Sequence, residues 1–290
     1  MQQIIPGLAL LLAAAIWGIT FPLVKDALAY VSPFEFLAIR FSLATAVLAA
    51  IRFRAAREVF RKHVKAGLIA GSLLALGHAF QTTGLELTLS TNAGFITGLY
   101  VVFTPLLAAI FLRRRPTLLV VLGVGLTALG LGLMSLQFDA SGLTFNIGDF
   151  LVLLCAVTYA GQIVALGRYA GESDTIVLTI QQLGITGLLF TVVMPFDQIT
   201  APTGWTVWIA ILATALGSSV FGIAVQTWAQ SRISPTRAAV IFSMEAPFAA
   251  LAAYVLADER LASRAWIGAA MILAGILIVE LKPATSKQEA

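Results

Sequence analysis

The chain has 290 residues, of which 59% are hydrophobic and only 11% are charged. A soluble domain carries about 25% charged residues, so a water-soluble fold of this length could not bury so much apolar surface. The net charge of +4 comes from basic residues in short loops, where it indicates membrane orientation rather than nucleic-acid binding. Composition therefore predicts an integral membrane protein with the lipid bilayer as its solvent.

Ten segments are apolar and about 20 residues long, which is the length that crosses a bilayer as a helix. The loops between them are short, and none could hold a soluble domain. The sequence therefore predicts an all-α integral membrane fold of about ten transmembrane helices. The predicted spans lie near residues 4–24, 34–53, 66–86, 92–112, 117–136, 147–167, 175–194, 205–227, 236–256 and 263–281.

Lysine and arginine in the loops predict the orientation of the chain. If the N-terminus is cytoplasmic, fourteen basic residues fall in inside loops and three fall outside, namely Lys25, Arg260 and Arg264. This bias predicts that both termini are cytoplasmic. Arg40 lies six residues inside the second span, and we expect it to reach toward the nearer interface; contact with an anion is the alternative.

Two halves of the chain repeat the same pattern. Pro105 and Pro247 interrupt apolar segments 142 residues apart, and Trp17 and Tyr159 have the same offset. Beyond each proline come a charged turn and two glycines seven residues apart, which are Gly123 with Gly130 and Gly268 with Gly275. Matching interruptions in two hydrophobic helices are typical of a transporter binding site.

Five spans per half is an odd number, so the second half would enter the membrane from the opposite side. The sequence therefore predicts two inverted five-helix repeats, residues 1–140 and 141–290. Such a pair can exchange two asymmetric conformations that open a central site to one side and then to the other.

The second half carries the more specific motif. The segment Ser243–Pro247, the turn Asp258–Leu261 and the glycines Gly268 and Gly275 resemble the closing motif of EamA-type domains in the drug/metabolite transporter superfamily. The first half is a weaker copy that departs from the pattern at two points, because Phe103 takes the acidic place and arginines replace the glutamate of the turn. The weaker copy consists of Thr104-Pro105, Arg113-Arg114-Arg115-Pro116, and Gly123 with Gly130.

The resemblance covers essentially the whole chain. It implies ten helices in two inverted EamA domains, a multi-pass location in the cell inner membrane, and export of metabolites. Within the family, the chain looks most like the YddG-like exporters of aromatic and other amino acids.

Glu245 is the only carboxylate near the middle of a predicted span. A charge at that depth is costly and tends to face a partner or a water-filled cavity. Glu245 would then bind a substrate ammonium or carry a coupled proton. The alternative is a structural glutamate packed near the break at Pro247.

His78, Gln81 and Thr82 share one face of the third span, because their spacing matches a helical turn. Lipid cannot satisfy polar groups, so this stripe should line a cavity. The alternative is hydrogen bonding between helices with no ligand involved.

The two prolines remove backbone donors in mid-helix, which predicts hinges, with static kinks as the alternative. Aromatic rings at Trp17, Tyr100, Tyr159, Trp228 and Phe242 could stack on an aromatic or cationic solute, or simply pack. Tryptophans at span ends, which are Trp205, Trp208 and Trp266, suit interfacial belts. The glycine pairs Gly67 with Gly71 and Gly94 with Gly98 indicate close helix packing.

These observations give a set of candidate site residues. We expect substrate binding at Trp17, His78, Gln81, Tyr100, Tyr159, Ser243 and Glu245, and hinge motion at Pro105 and Pro247.

The sequence gives no sign of catalysis or of a cofactor. It has one cysteine and two histidines, too few for a closed metal site, and it lacks a phosphate-binding G-x-x-x-x-G-K-[ST] loop. We therefore expect no cofactor, no metal, no enzymatic activity and no ATPase subunit.

The predicted function is a secondary transporter that exports small metabolites by alternating access, with amino acids, including aromatic ones, as the favoured substrates and proton coupling as an open possibility. A sugar phosphate would need several basic residues in the cavity, and Arg40 is the only one inside a span. The alternatives are an exporter of cationic drugs, a carrier of nucleotide-sugars, a passive channel, a membrane enzyme and a structural membrane subunit.

Overall fold

The computed structural model describes residues 4–59, 61–113, 116–135, 147–196, 202–256 and 263–280, and these residues form helices without any strand. Eight helical segments among them are long and apolar enough to cross a membrane, and two shorter apolar helices occupy the positions of the fifth and tenth predicted spans. The prediction of an all-α, multi-pass membrane fold is confirmed.

The helices follow the predicted spans closely, and two of the spans are broken into two pieces. The first half contains α1 (Ile4–Ala27), α2 (Pro33–Ile51), the short α3 (Phe53–Ala56), α4 (Val64–Leu87), α5 (Ser90–Gly98), α6 (Tyr100–Phe111) and α7 (Leu118–Ser135). The second half contains α8 (Ile147–Tyr169), α9 (Thr175–Val193), α10 (Trp205–Ala213), a π-helix (Thr214–Ile223), α11 (Ala224–Gln230), α12 (Pro235–Phe242), α13 (Glu245–Leu256) and α14 (Ser263–Glu280).

Side-chain caps fix several helix starts. The Ser32 hydroxyl accepts the amide of Glu35 at the start of α2, and the Asp174 carboxylate accepts two amides at the start of α9. Ser234 caps α12, and Pro235 follows it in the first turn, where the missing amide hydrogen costs no helical bond.

The fourth and ninth spans are each broken on the N-terminal side of their proline: at Leu99, six residues before Pro105, and at Met244, three residues before Pro247. In the ninth span, Pro247 cannot donate to the carbonyl of Ser243, and the amide of Ala246 takes that carbonyl instead at 3.2 Å. In the fourth span, the turn between α5 and α6 is tightened by the amide of Leu99, which donates to Ile96 O at 3.1 Å. Both spans therefore consist of two helices joined by a tight turn in mid-membrane.

Three spans pack on the span that lies five places later in the chain. α2 packs on α9, α5 on α13, and α7 on α14, which are pairs that a two-fold axis would bring together. Other contacts are equivalent when the two halves are exchanged. The third span (α4) packs on the sixth (α8), and correspondingly the eighth span (the π-helix and its flanking helices) packs on the first (α1). This pattern is what two inverted five-helix units would produce.

The repeated glycines lie where α7 meets α14. A Cβ atom at Gly123 would lie 2.8 Å from the carbonyl oxygen of Gly275, and one at Gly130 would lie 2.6 Å from that of Gly268. Gly67 of α4 is similarly close to Gln181 of α9, with 2.6 Å between the corresponding Cβ positions. These glycines let helix backbones approach more closely than any side chain would allow.

Candidate functional site

A cavity lies at the centre of the bundle between the two broken spans. Its walls come from α1, α2, α4, α6, α8, the π-helix and the segments α11 to α13. The space inside it that is open to water-sized molecules is about 70 Å³, which holds several waters because one water needs about 10–15 Å³ on this measure. Six of the predicted site residues line it, namely Trp17, His78, Gln81, Tyr100, Tyr159 and Glu245.

Glu245 and Tyr100 meet because each is the first residue of a helix that follows a break. Glu245 begins α13 and Tyr100 begins α6. The tyrosine hydroxyl donates to Glu245 Oε2 at 3.1 Å, and the glutamate side chain is only 5% exposed. A carboxylate is also favoured at a helix N-terminus, where the backbone amides point toward it.

Arg40 of α2 lines the same cavity, and the expectation that it reaches the interface is wrong. Its Nε donates to the hydroxyl of Ser219 at 2.9 Å, and its Nη2 donates to that of Ser218 at 2.8 Å. The residue is 6% exposed. Two adjacent hydroxyls of the π-helix therefore hold the guanidinium in the cavity wall. π-helical segments are often found at functional sites.

The polar stripe of α4 faces the cavity, as predicted, and also bridges helices. His78 Nδ1 lies 3.0 Å from Leu74 O; because a carbonyl can only accept, Nδ1 is the donor of this bond. Gln81 accepts from the Tyr159 hydroxyl at 3.1 Å and donates to Thr97 at 3.3 Å. The stripe thus combines the two roles that the sequence left as alternatives.

Aromatic rings form much of the remaining wall. The Trp17 indole donates to the carbonyl of Ser218 at 3.0 Å, and its ring centroid lies 5.0 Å from that of Phe242. The Tyr159 ring packs edge-on against His78, with centroids 5.3 Å apart. Trp228 lies outside this wall, with the guanidinium of Arg232 over its ring at 4.6 Å.

Ser243 does not line the cavity, which corrects one of the predicted site residues. Its side chain is fully buried, and its hydroxyl donates to Val240 O at 2.6 Å. A serine hydroxyl near a helix end readily bonds a carbonyl of the preceding turn. Pro105 and Pro247 are also absent from the wall; Pro247 follows the break that positions Glu245, whereas Pro105 lies inside α6, five residues beyond Tyr100.

Sequence reasoning missed a buried glutamine network beside the cavity. Gln226 donates to Gln162 at 2.8 Å, Gln162 donates to Gln182 at 2.9 Å, and Gln182 donates to Thr227 at 3.1 Å. Gln162 and Gln226 line the cavity. The available signal was spacing, because Gln162 lies one turn beyond Tyr159 on the same face of α8.

Within the described residues, no group of three His, Cys, Asp or Glu side chains is placed to hold a metal ion. The arrangement can instead bind a small solute through one cation, one carboxylate, neutral hydrogen-bonding groups and aromatic rings.

Comparison with known proteins places this bundle among transporters. A protein of Archaeoglobus fulgidus named as an uncharacterized transporter is 34% identical over 97% of this chain and 87% of its own length. The uncharacterized transporter YcxC of Bacillus subtilis is 26% identical over 95% of this chain and 93% of its own. A crystal structure with 21% identity superposes with a TM-score of 0.80 over 95% of this chain and 96% of that one, which shows the fold alone. The sequence pattern of the EamA-like transporter family matches residues 5–136 and again residues 146–281, and the chain belongs to that family.

Proposed function

We propose that this transporter exports amino acids, including large hydrophobic and aromatic ones, from the cytoplasm by alternating access of two inverted five-helix domains, residues 1–140 and 141–290. The observation that carries the proposal is the central cavity, which is lined by Arg40, Glu245 and several aromatic rings. An amino acid needs a few polar contacts for its charged groups and apolar contacts for its side chain.

Two features support alternating access. Helix contacts occur in pairs related by exchange of the two halves, and the first residue after the break in the fourth span, Tyr100, and in the ninth span, Glu245, both line the cavity. Rocking of one unit against the other around a fixed central site is the common mechanism of inverted-repeat transporters. The similarity to YddG-like exporters, the location in the inner membrane and the cytoplasmic termini are parts of the same proposal.

Purified protein in liposomes should accelerate the equilibration of labelled phenylalanine, tyrosine and tryptophan. Empty liposomes and liposomes with heat-denatured protein are the controls. Saturation and counterflow are expected, because a carrier exposes one site at a time, whereas a passive channel shows neither. A broad amino-acid panel with no rate above that of empty liposomes would refute the substrate class.

Glu245 is the only carboxylate among the described lining residues, and we expect downhill facilitation rather than obligatory proton coupling. Uptake should therefore follow the solute gradient with or without a pH gradient. If a pH gradient does drive accumulation, Glu245→Gln should abolish that accumulation. Persistence of pH-driven accumulation in the variant would exclude Glu245 as the proton carrier.

A further inference from the structure

We infer that the cavity is polarised for a zwitterion: the guanidinium of Arg40 on α2 binds the carboxylate of the solute, and the carboxylate of Glu245 on α13 binds its ammonium group. This inference rests on the proposed transport of amino acids and assigns the two ends of that site.

The Arg40 end holds a positive charge that has no anionic partner among the described residues. Two of its donors bond to the hydroxyls of Ser218 and Ser219, which satisfy hydrogen bonds but carry no opposite charge. A guanidinium has five N–H donors, so three remain for another group. A buried unpaired charge is costly, and a carboxylate is the group that arginine pairs with in a two-pronged geometry.

The Glu245 end has the opposite character. One oxygen of the carboxylate accepts from Tyr100, and within the described part of the chain no lysine, arginine or histidine pairs with it. An ammonium group supplies both the missing positive charge and several donors. The start of α13 keeps the carboxylate at the cavity wall.

The Trp17 indole connects the two ends. Its N–H bonds the carbonyl of Ser218 beside Arg40, and its ring packs on Phe242, which lies just before the break that precedes Glu245. This wall is apolar between two charged ends, which suits a solute whose charged groups are carried on a hydrophobic body.

Charge balance excludes the two simpler kinds of solute as preferred ligands. A cation would neutralise Glu245 but leave Arg40 unpaired and be repelled by it. An anion would neutralise Arg40 but leave Glu245 unpaired and be repelled by it. A zwitterion compensates both charges without adding net charge to a site surrounded by lipid.

The test compares three ligands of one shape: phenylalanine, phenylalaninamide, which lacks the carboxylate, and 3-phenylpropionate, which lacks the ammonium. Binding to purified protein in detergent is measured by titration calorimetry. Wild type should bind phenylalanine at least about tenfold more tightly than either analogue, as expected when one partner of a buried charge pair is missing.

Arg40→Gln should weaken phenylalanine binding by about tenfold or more and leave phenylalaninamide binding unchanged or tighter. Glu245→Gln should weaken phenylalanine to a similar degree and spare 3-phenylpropionate. Arg40→Lys keeps the positive charge and should retain the preference for a ligand with a carboxylate. This variant therefore tests the role of the charge even if Arg40→Gln does not fold. Arg168→Gln and Glu172→Gln remove the same charges from an exposed pair outside the cavity and should bind like wild type.

Three outcomes separate the possibilities. Equal binding of all three ligands to wild type, together with transport of phenylalanine, would overturn the polarity while leaving amino-acid transport intact. The polarity is also overturned if Arg40→Gln and Glu245→Gln both remain folded and each weakens the binding of all three ligands to the same degree. If wild type neither binds nor transports any amino acid, the proposed substrate class fails and the polarity fails with it.

Discussion

Buried polar side chains determine which solutes this bundle can bind, and the sequence predicts the cavity position of some of them but not of others. Glu245 and His78 could be identified because a titratable group at mid-membrane depth needs a partner or a cavity. Arg40 was placed at the interface instead, because sequence depth does not tell whether a long side chain extends outward or inward. Its direction is set by Ser218 and Ser219, which lie 178 and 179 residues away in sequence.

Ser243 provides a test at this scale, because it is close to Glu245 in sequence yet turned away from the cavity. Ser243→Ala removes one hydroxyl bonded to its own helix. It should lower the free energy of unfolding by about 0.6 kcal/mol, the typical value of a hydrogen bond in a membrane protein, and leave the binding constant for phenylalanine unchanged. Thermal unfolding and ligand titration measure the two effects. A large loss of affinity with normal stability would put Ser243 in the binding site.

The elements that matter most are the two broken spans. The prolines predict interruptions in these two spans, since proline cannot donate to the preceding turn. The ninth span breaks at Met244, close to Pro247, whereas the fourth breaks at Leu99 and has Pro105 inside α6. It did not predict the π-helix Thr214–Ile223, whose shifted backbone bonds depend on contacts with other helices. Proline positions therefore predict which spans are broken, whereas no sequence pattern predicts the π-helix that holds Arg40.

Pro247→Ala should slow transport more than it weakens binding. An amide at position 247 can bond the Ser243 carbonyl and extend α13 backward through the break, which would stiffen the ninth span. We expect the maximal rate to fall several-fold and the affinity for phenylalanine to change little.

Pro235→Ala is the matched control, because Pro235 begins α12 after the Ser234 cap and a turn, so an amide there has no preceding helix of the same span to join. It should transport nearly as wild type does. If Pro247→Ala, expressed at normal levels, transports at the wild-type rate, the break is a static kink rather than a hinge.

The α7–α14 contact predicts a second effect at the level of elements. A methyl group at Gly123 would meet the carbonyl of Gly275 at 2.8 Å, whereas no atom of the described residues lies within 4 Å of the corresponding position at Gly125. Gly123→Ala should therefore destabilise the protein by about 1–3 kcal/mol through overpacking, and Gly125→Ala should not. Thermal unfolding in one detergent compares the two. Equal stability of both variants would mean that the helices are not held this close.

At the scale of the whole molecule, hydropathy and repeated breaks are local patterns from which ten spans in two inverted halves are predicted, and the described residues contain eight helices long and apolar enough to span a membrane and two shorter apolar helices. The packing of α2 on α9 and of α7 on α14 is what exchange of two inverted units requires. The shape and contents of the cavity could not be predicted, because seven spans contribute to it and their rotations are set by packing.

The proposed inverted arrangement predicts the sides on which two loops lie. Tyr30, which is 58% exposed, follows the first span, and Ser173 follows the sixth. Tyr30→Cys should react with a membrane-impermeant thiol reagent added outside the cell, and Ser173→Cys only with reagent added inside.

The native Cys155 is buried and should not react with a reagent that stays in water, so the unmodified chain is the control. Labelling of both introduced cysteines from one side would place the two halves in the same orientation.

The distribution of tryptophans gives the molecule a built-in optical reporter. Trp17 lines the cavity, whereas Trp205, Trp208 and Trp266 are 84%, 41% and 59% exposed on the outer surface. Brominated acyl chains would quench emission from the three outer indoles far more than emission from Trp17. The half-buried Trp228 lies outside the cavity and would also remain bright. In a Trp228→Phe variant the remaining fluorescence would shift in wavelength as the Trp17 ring gains or loses water, so cavity filling could be followed in time without any attached dye.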